Sequence, residues 1–433
     1  MPPSPTGNLH IGGARTALFN YIFAKQNGGD FILRIDDTDI ERNKKEYEDD
    51  IISSLSWLHL IHDEVYKQSE RTEIYKEKLQ QLVSSGAAYL AEENKDGSGQ
   101  VVRLKNKSEP ITFTDMILGE IKIDTADLGD FIIARDINSP LYHLASVVDD
   151  GELDISHVIR GQDHIMNTPR QILILAALGY ELPKYAHIPL VLNSLGEKLS
   201  KRDLGVKSIS EYRAHGILSE SLINSLAFLG WNPGTEQEIY HIHELLRDFK
   251  IEKVQKKSAV FNLEKLLWFN RAHLDLLSET GYRKYLNDGV VALETKVGVD
   301  WNEYVCKRLI PTIREHVRSR AEFQELVAAG EYDYFFIRPA VDVSRLAWRD
   351  DTSENAKKHL AEMRSIILSI DEKKLSAEAV RNFIWDYAEK NGRGNVLWPL
   401  RYALSGQEKS PDPFTLVYIL GKKEAVERIS AII

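Results

Sequence analysis

Two hydrophobic rhythms run along the chain, and the place where one gives way to the other divides it. In residues 13–25 the apolar positions Ala14, Ala17, Leu18, Tyr21 and Ile22 keep the 3–4 spacing of a helix with one buried face. Asn27-Gly28-Gly29 supplies a stop, and Phe31-Ile-Leu-Arg-Ile35 reads as a buried strand. A further helix is expected over about 46–58. Such alternation of helix and strand is the pattern of a parallel sheet. Between 87 and 133 the runs become short and strand-like, at 101–104, 111–113, 121–123 and 131–133, which predicts a small β-rich insertion. The first pattern then returns with a strand at 157–160, a helix at 168–178 and a strand at 188–192. Beyond about Ser208 nearly everything has helical period: Leu360, Met363, Ile367 and Ile370, then Val380, Phe383, Ile384 and Tyr387. An α/β front half with an insertion, followed by an all-α back half, is the expected architecture.

Composition narrows the class. A chain of 433 residues exceeds one ordinary core, so two to four domains are expected. Its 43% hydrophobic and 28% charged residues exclude a largely disordered chain. No apolar run approaches the ~20 residues that span a bilayer. The start, Met1-Pro2-Pro3-Ser4, has neither basic residues nor an apolar stretch, so no export signal is expected and the cytoplasm is the default compartment. Cys306 is the only cysteine, which removes intrachain disulfides and cysteine-rich zinc sites. The net charge of −10 argues against non-specific nucleic-acid binding; a specific reader is still open, because binding follows the local field. Lys198, Lys201, Arg202 and Lys207 cluster, as do Lys250, Lys253, Lys256 and Lys257, each readable as a solvated face.

Two segments carry candidate chemistry. Pro3-Ser4-Pro5-Thr6-Gly7-Asn8-Leu9-His10-Ile11-Gly12-Gly13 is a breaker-rich loop running into a helix start. Unpaired N–H groups there suit an anion, glycines admit a close phosphate or purine, and His10 can donate to a phosphate; a plain glycine turn with a cap is the equal alternative. Glu197-Lys198-Leu199-Ser200-Lys201-Arg202 places three cations and a hydroxyl together after a turn-like stretch. Such a loop can stabilise charge growing on an α-phosphate and a departing pyrophosphate. Asp36, Asp37 and Asp39 are open to three readings: a metal site, a turn, or a helix cap by Asp39. Arg160 ends a strand expected to be buried, where an unpaired guanidinium is costly, and an internal salt bridge to Asp163 or Asp36 is one solution.

Taken together, His10-Ile-Gly-Gly13 and Lys198-Leu-Ser-Lys-Arg202 resemble the two signature loops of the class I aminoacyl-tRNA synthetases, specifically the bacterial-type glutamyl-tRNA synthetases. Phe31–Asp39, Tyr142–Asp150, His157–His164, Leu229–Pro233, Val260–Leu266 and Pro399–Gly406 resemble the same family in collinear order. The resemblance implies a Rossmann-like catalytic domain over 1–86 and 136–196, a shortened acceptor-end insertion over 87–135, a helical stem-contact domain over 197–285 and a helical anticodon-binding domain over 286–433. It implies ATP-dependent attachment of L-glutamate to tRNA(Glu), with tRNA(Gln) a second candidate acceptor, by a monomer that touches no membrane. Mg²⁺ accompanies ATP and no structural zinc is expected. Ser4, Thr6, His10, Gly12, Gly13, Lys201 and Arg202 are implied to hold ATP, with His10, Lys198 and Lys201 acting on the phosphates. Asp36, Tyr142, Ser146 and Arg160 are implied to hold glutamate, Asp36 facing its ammonium. Lys253, Lys256, Lys257 and Arg401 are candidates for tRNA.

The pattern departs from the family in places. An Arg-Phe-Ala strand normally precedes the Pro-Ser-Pro-Thr-Gly loop and has no counterpart before Met1, so its neighbours' edges are expected to lie open. Its arginine would carry a carboxylate contact of about 1.5–3 kcal/mol. A longer form is therefore expected to be the active one. Asp36, Ser146 and Gln162 stand where glutamate, asparagine and glutamate are frequent, and these bear on amino-acid specificity. Two rival readings follow: a tRNA-binding paralogue that is non-catalytic or of altered specificity, and a nucleotidyltransferase that needs no tRNA.

Overall fold

The computed structural model describes residues 1–38, 42–92, 99–199, 207–297 and 303–433. The chain forms two compact units, Met1–His273 and Leu274–Ile433.

The first unit is built on short parallel strand pairs. Ile32–Ile35 pairs with Glu64–Lys67, a strand the sequence reading passed over. His157–Gly161 pairs with Lys184–Ile188, which also meets Asp115. Helix Ile11–Gln26 packs against His157–Gly161 on one side and helices Ser219–Ala227 and Ile242–Asp248 on the other. That double burial explains why Ile11, Ala14, Ala17, Leu18, Phe19 and Ile22 are all enclosed, a wider face than one stripe. The helices expected over 46–58 and 168–178 are Lys45–Trp57 and Thr168–Leu178.

Three expectations change. The run read as one strand over 188–192 is two, Lys184–Ile188 and Val191–Leu192, because Pro189 has no N–H to give a ladder. The β-rich stretch is not one insertion. Ala88–Glu92, Gln100–Leu104, Phe131–Asp136 and Ser139–Pro140 form an antiparallel sheet of their own, whereas the hairpin Ile111–Asp115 and Gly119–Ile123 joins the catalytic sheet beside Lys184–Ile188. The edge of Ile32–Ile35 is not left open either. Met1–Pro3 runs along it, the Arg34 N–H donating to the Met1 carbonyl and the Asp36 N–H to that of Pro3, each at 3.0 Å.

In the second unit the helices begin where side chains cap them. Ser319, Thr352, Ser376 and Asp412 accept N–H bonds at the starts of Arg320–Ala329, Ser353–Ser369, Ala377–Asn391 and Pro413–Leu420. Leu360, Met363, Ile367 and Ile370 are buried as the spacing predicts. Phe383 is not: it is 53% exposed, because the buried stripe of its helix runs through Val380, Ile384 and Ala388 and leaves Phe383 at its margin.

Candidate active site

A cavity of about 480 Å³ opens in the first unit at the start of helix Ile11–Gln26. His10 caps that helix, its Nδ1 accepting the Gly13 N–H at 3.2 Å. An accepting Nδ1 puts the proton of the neutral ring on Nε2. The glycines make this possible. A Cβ on Gly12 would stand 3.1 Å from His10 Cε1, and one on Gly13 would stand 3.0 Å from Leu9 Cδ1. Ser4, Thr6, His10, Gly12 and Gly13 all line the cavity. Arg15, which the sequence reading passed over, lies beneath them. Its Nη1 donates to the Leu229 carbonyl at 2.9 Å and its Nη2 to the Pro189 carbonyl. Burial pulls its pKa down to about 10, which still leaves a cation under the helix start at neutral pH.

The first part of the cationic segment, Lys198 and Leu199, lies at the same cleft. Lys198 lines it, with Nζ 2.7 Å from Asp163 Oδ2, and Leu199 N–H donates to the Val191 carbonyl. Burial of Asp163 is outweighed by this lysine, so its carboxyl sits below the usual range. Lys201 and Arg202 lie outside the described residues, as does Ser200. The segment after them is fixed beside the helix start: Ser208 bridges to His10, and Ile209 N–H donates to the Leu9 carbonyl.

Deeper in the cavity lie Asp36, Tyr142, Ser146 and Arg160. Asp36 is not free to face a ligand alone. Arg34, with 7% of its side chain exposed, donates from Nε to Asp36 Oδ1 at 2.8 Å, from Nη1 to Asp150 at 2.7 Å and from Nη2 to Ser146 Oγ at 3.3 Å. Asp149 lies 3.5 Å from Arg34 and also pairs with Arg71 at 2.7 Å. Three carboxylates thus face two guanidiniums, leaving one negative charge in excess. Burial pushes the Asp36 carboxyl up to about 6; Arg34 offsets part of this, and Asp149 and Asp150 add to it. Desolvation works against the charge of Arg34, but Asp36 and Asp150 outweigh it and hold the guanidinium firmly protonated. Nothing in the local sequence marks Arg34 as central, since its partners beyond Asp36 lie more than a hundred positions away.

Two carboxylates of the acidic tip have partners within the chain. Asp36 is held by Arg34, and Asp37 accepts from Ser69 N–H at 2.8 Å and Oγ–H at 2.7 Å; Asp39 lies outside the described residues. Among the described residues no group of three or more His, Cys, Asp or Glu is placed to hold a metal ion. Arg160 makes neither of the salt bridges offered as an alternative. It donates to His187 Nε2 at 3.2 Å, Gln171 Oε1 at 2.6 Å and Thr168 Oγ1 at 2.7 Å. Gln162, one of the departures noted above, lies in the turn that follows the Arg160 strand.

The tRNA candidates are scattered over the surface. Lys253 donates to the Pro233 carbonyl at 2.6 Å and Lys256 to that of Leu118 at 3.1 Å; Lys257 is exposed. In the second unit Arg401 lies 4.9 Å over the Trp398 ring, which packs with Trp348 and Tyr402.

Residues 1–98 and 91–268 match the model for the catalytic domain of class I tRNA synthetases (E and Q), and 282–433 match an anticodon binding domain. A glutamate--tRNA ligase 1 of Petrotoga mobilis is 37% identical, covering 99% of this chain and 95% of its own. One from Aquifex aeolicus is 36% identical, covering 99% and 96%. A crystal structure of a glutamate tRNA ligase from Elizabethkingia meningosepticum, in complex with its amino acid, superposes with a TM-score of 0.86 at 30% identity, covering 100% and 98%. Agreement in sequence and in fold over nearly the full length of both partners makes this chain a member of the glutamate--tRNA ligase family, class I aminoacyl-tRNA synthetases.

Proposed function

We propose that the cavity forms glutamyl-adenylate, with the ATP phosphates at the start of helix Ile11–Gln26 and glutamate between Arg160 and the Asp36 cluster. As a glutamate--tRNA ligase the enzyme couples ATP cleavage to charging of tRNA(Glu). In the first step the α-carboxylate of glutamate attacks the α-phosphate of ATP and pyrophosphate leaves. In the second, the terminal ribose hydroxyl of tRNA attacks the adenylate carbonyl and AMP leaves. The observation that carries the reading is that one cavity is lined both by His10 with its glycine-lined helix start and by Arg160 with the acidic cluster.

The side chains position and stabilise charge; no covalent intermediate is needed. His10 Nε2, the N–H groups of the first helical turn, Arg15 beneath them and Lys198 at the rim all favour the anionic phosphates. Lys201 closes over the leaving pyrophosphate. Mg²⁺ entering with ATP would offset part of the phosphate charge beside these donors. The excess negative charge around Asp36 suits the substrate ammonium, and the planar fork of Arg160 suits the carboxylate. The helical half reads the anticodon arm, Trp398 and Arg401 offering stacking and edge contacts, with Lys253, Lys256 and Lys257 near the phosphate backbone.

The deciding experiment is ATP–pyrophosphate exchange with and without tRNA, run beside charging of tRNA(Glu) and tRNA(Gln). Glutamate-dependent exchange that requires tRNA, followed by charging of tRNA(Glu), is expected. Full exchange without tRNA would establish the tRNA-independent nucleotidyltransferase instead, and tRNA binding without charging the paralogue.

A pH effect follows from Asp36. Its carboxyl must be ionised to receive the ammonium, and it ionises near 6 rather than at its ordinary 3.8. The KM for glutamate should therefore fall as pH rises through about 6. In Asp36→Asn that dependence should vanish, with the KM raised by about 10-fold at neutral pH. A wild-type KM that is flat between pH 5 and 7 would remove Asp36 from the site. The stability effect has the opposite sense: because its folded pKa is raised, Asp36 favours the fold when protonated, and that contribution disappears as pH rises through about 6.

A further inference from the structure

We propose that Asp115 and His187 are positioning residues for Arg160, fixing the orientation in which its guanidinium receives the substrate carboxylate; this rests on the reading of Arg160 given above. Neither side chain is exposed to solvent. Asp115 Oδ1 accepts the N–H groups of Ile117 at 2.9 Å and Leu118 at 2.8 Å. Its Oδ2 accepts the backbone N–H of His187 at 2.9 Å and lies 2.7 Å from the Nδ1 of the same residue. A carboxylate surrounded by donors in this way is an acceptor only, so the proton between Asp115 and His187 resides on Nδ1. The neutral imidazole then presents a lone pair at Nε2. Arg160 Nε, which can only donate, lies 3.2 Å from that atom. The opposite tautomer, or an imidazolium, would set two N–H groups against each other, and Arg160 would turn away.

The remaining partners complete the clamp. Thr168 Oγ1 lies 3.1 Å from His187 Nε2 and 2.7 Å from Arg160 Nη2, and Gln171 Oε1 lies 2.6 Å from Nη1. Tyr185 lies under the guanidinium at 5.7 Å. All three side-chain acceptors of Arg160 are neutral, unlike those of Arg34. The guanidinium is thus oriented without its charge being neutralised, and of its five N–H groups one on each Nη is left for a ligand. Arg160 faces the cavity while His187 and Asp115 stand behind it, in the neighbouring strands Lys184–Ile188 and Ile111–Asp115.

The test is steady-state ATP–pyrophosphate exchange in the presence of tRNA for the wild type and for His187→Phe, His187→Gln and Arg160→Met. His187→Phe keeps the ring and deletes the acceptor. It is expected to raise the KM for glutamate by about 10-fold, with the KM for ATP and kcat close to wild type. In His187→Gln the carboxamide oxygen accepts in place of Nε2 and should restore most of the loss. If Arg160→Met raises the glutamate KM and His187→Phe does not, the positioning role is wrong and the pocket reading stands. If Arg160→Met changes nothing, the pocket reading falls and the relay with it. A rise in both KM values for His187→Phe would show general loosening and also overturn the proposal. Should His187→Phe not fold, ¹⁵N NMR of wild-type histidines decides: the relay requires His187 to carry its proton on Nδ1 alone at neutral pH, and a proton on Nε2 refutes it.

Discussion

Lys201→Ala should slow glutamyl-adenylate formation by about 100-fold while leaving tRNA affinity nearly unchanged. The departing pyrophosphate gains a further negative charge only as its bond to the α-phosphate breaks, so a cation that meets that charge contributes more to the transition state than to the ground state. The flanks of its loop supply the structural reason for expecting Lys201 there. Lys198 lines the cavity on one side of the loop, and Ser208 bridges to His10 on the other. Seven residues separate Leu199 from Lys207, and the described residues on either side of them line the cleft or bridge to its helix start. Pyrophosphate exchange gives the rate and filter binding the tRNA affinity. A rate equal to wild type would show that the span does not reach the phosphates, and the assignment of this loop to ATP would be lost.

Arg34→Met carries the largest expected cost to stability. The side chain is 7% exposed and joins Asp36, Asp149 and Asp150 through contacts of 2.8, 3.5 and 2.7 Å. Asp149 keeps Arg71, Gln68 and Tyr75, but Asp36 has no second cation among its described partners. Removing one side of a buried ion pair and leaving the other desolvated costs about 3–5 kcal/mol. Urea unfolding at neutral pH should show that loss for the first unit. Arg34 holds the Asp36 carboxyl down, so without it the group takes up its proton above about 6, and the loss should shrink as pH falls towards that value. Arg34→Lys should recover only part of it, because one ammonium cannot span three carboxylates and the Ser146 hydroxyl. A change below about 0.5 kcal/mol for Arg34→Met would mean that the cluster is solvated and that Asp36 titrates as an ordinary surface acid.

The cluster also shows where reading the chain stops. Asp36, Ser146 and Arg160 were each legible, because they sit in stretches that resemble the family. Their partnerships were not. Arg34 looked like the one polar interruption in a buried strand, and Arg15 like a polar position on a helix. Both proved to be enclosed cations beneath the cavity, held by groups far along the chain: Leu229 in one case, Asp150 and Ser146 in the other. The acceptors of Arg160 were equally hidden. A salt bridge to Asp163 or Asp36 was the alternative offered for it, yet Asp163 is taken by Lys198 and Asp36 by Arg34.

By itself the amino-acid sequence determined what depends on near neighbours: the helix period at 360–370, the strand at 157–160, the glycines of the loop that carries His10, and the break between an α/β half and a helical half. These are set by spacing, caps and backbone freedom within a few residues, and they are readable one segment at a time. Only the tertiary structure decided which charges meet. Asp115 and His187 are 72 positions apart, and Arg34 and Ser146 are 112. Whether a carboxylate faces a ligand, an arginine or a histidine depends on which strands become neighbours, and that follows from packing of the whole core rather than from any local pattern. The placement of the hairpin Ile111–Asp115 and Gly119–Ile123 makes the point. Its strands were visible in the sequence, but only their pairing with Lys184–Ile188 puts Asp115 behind Arg160.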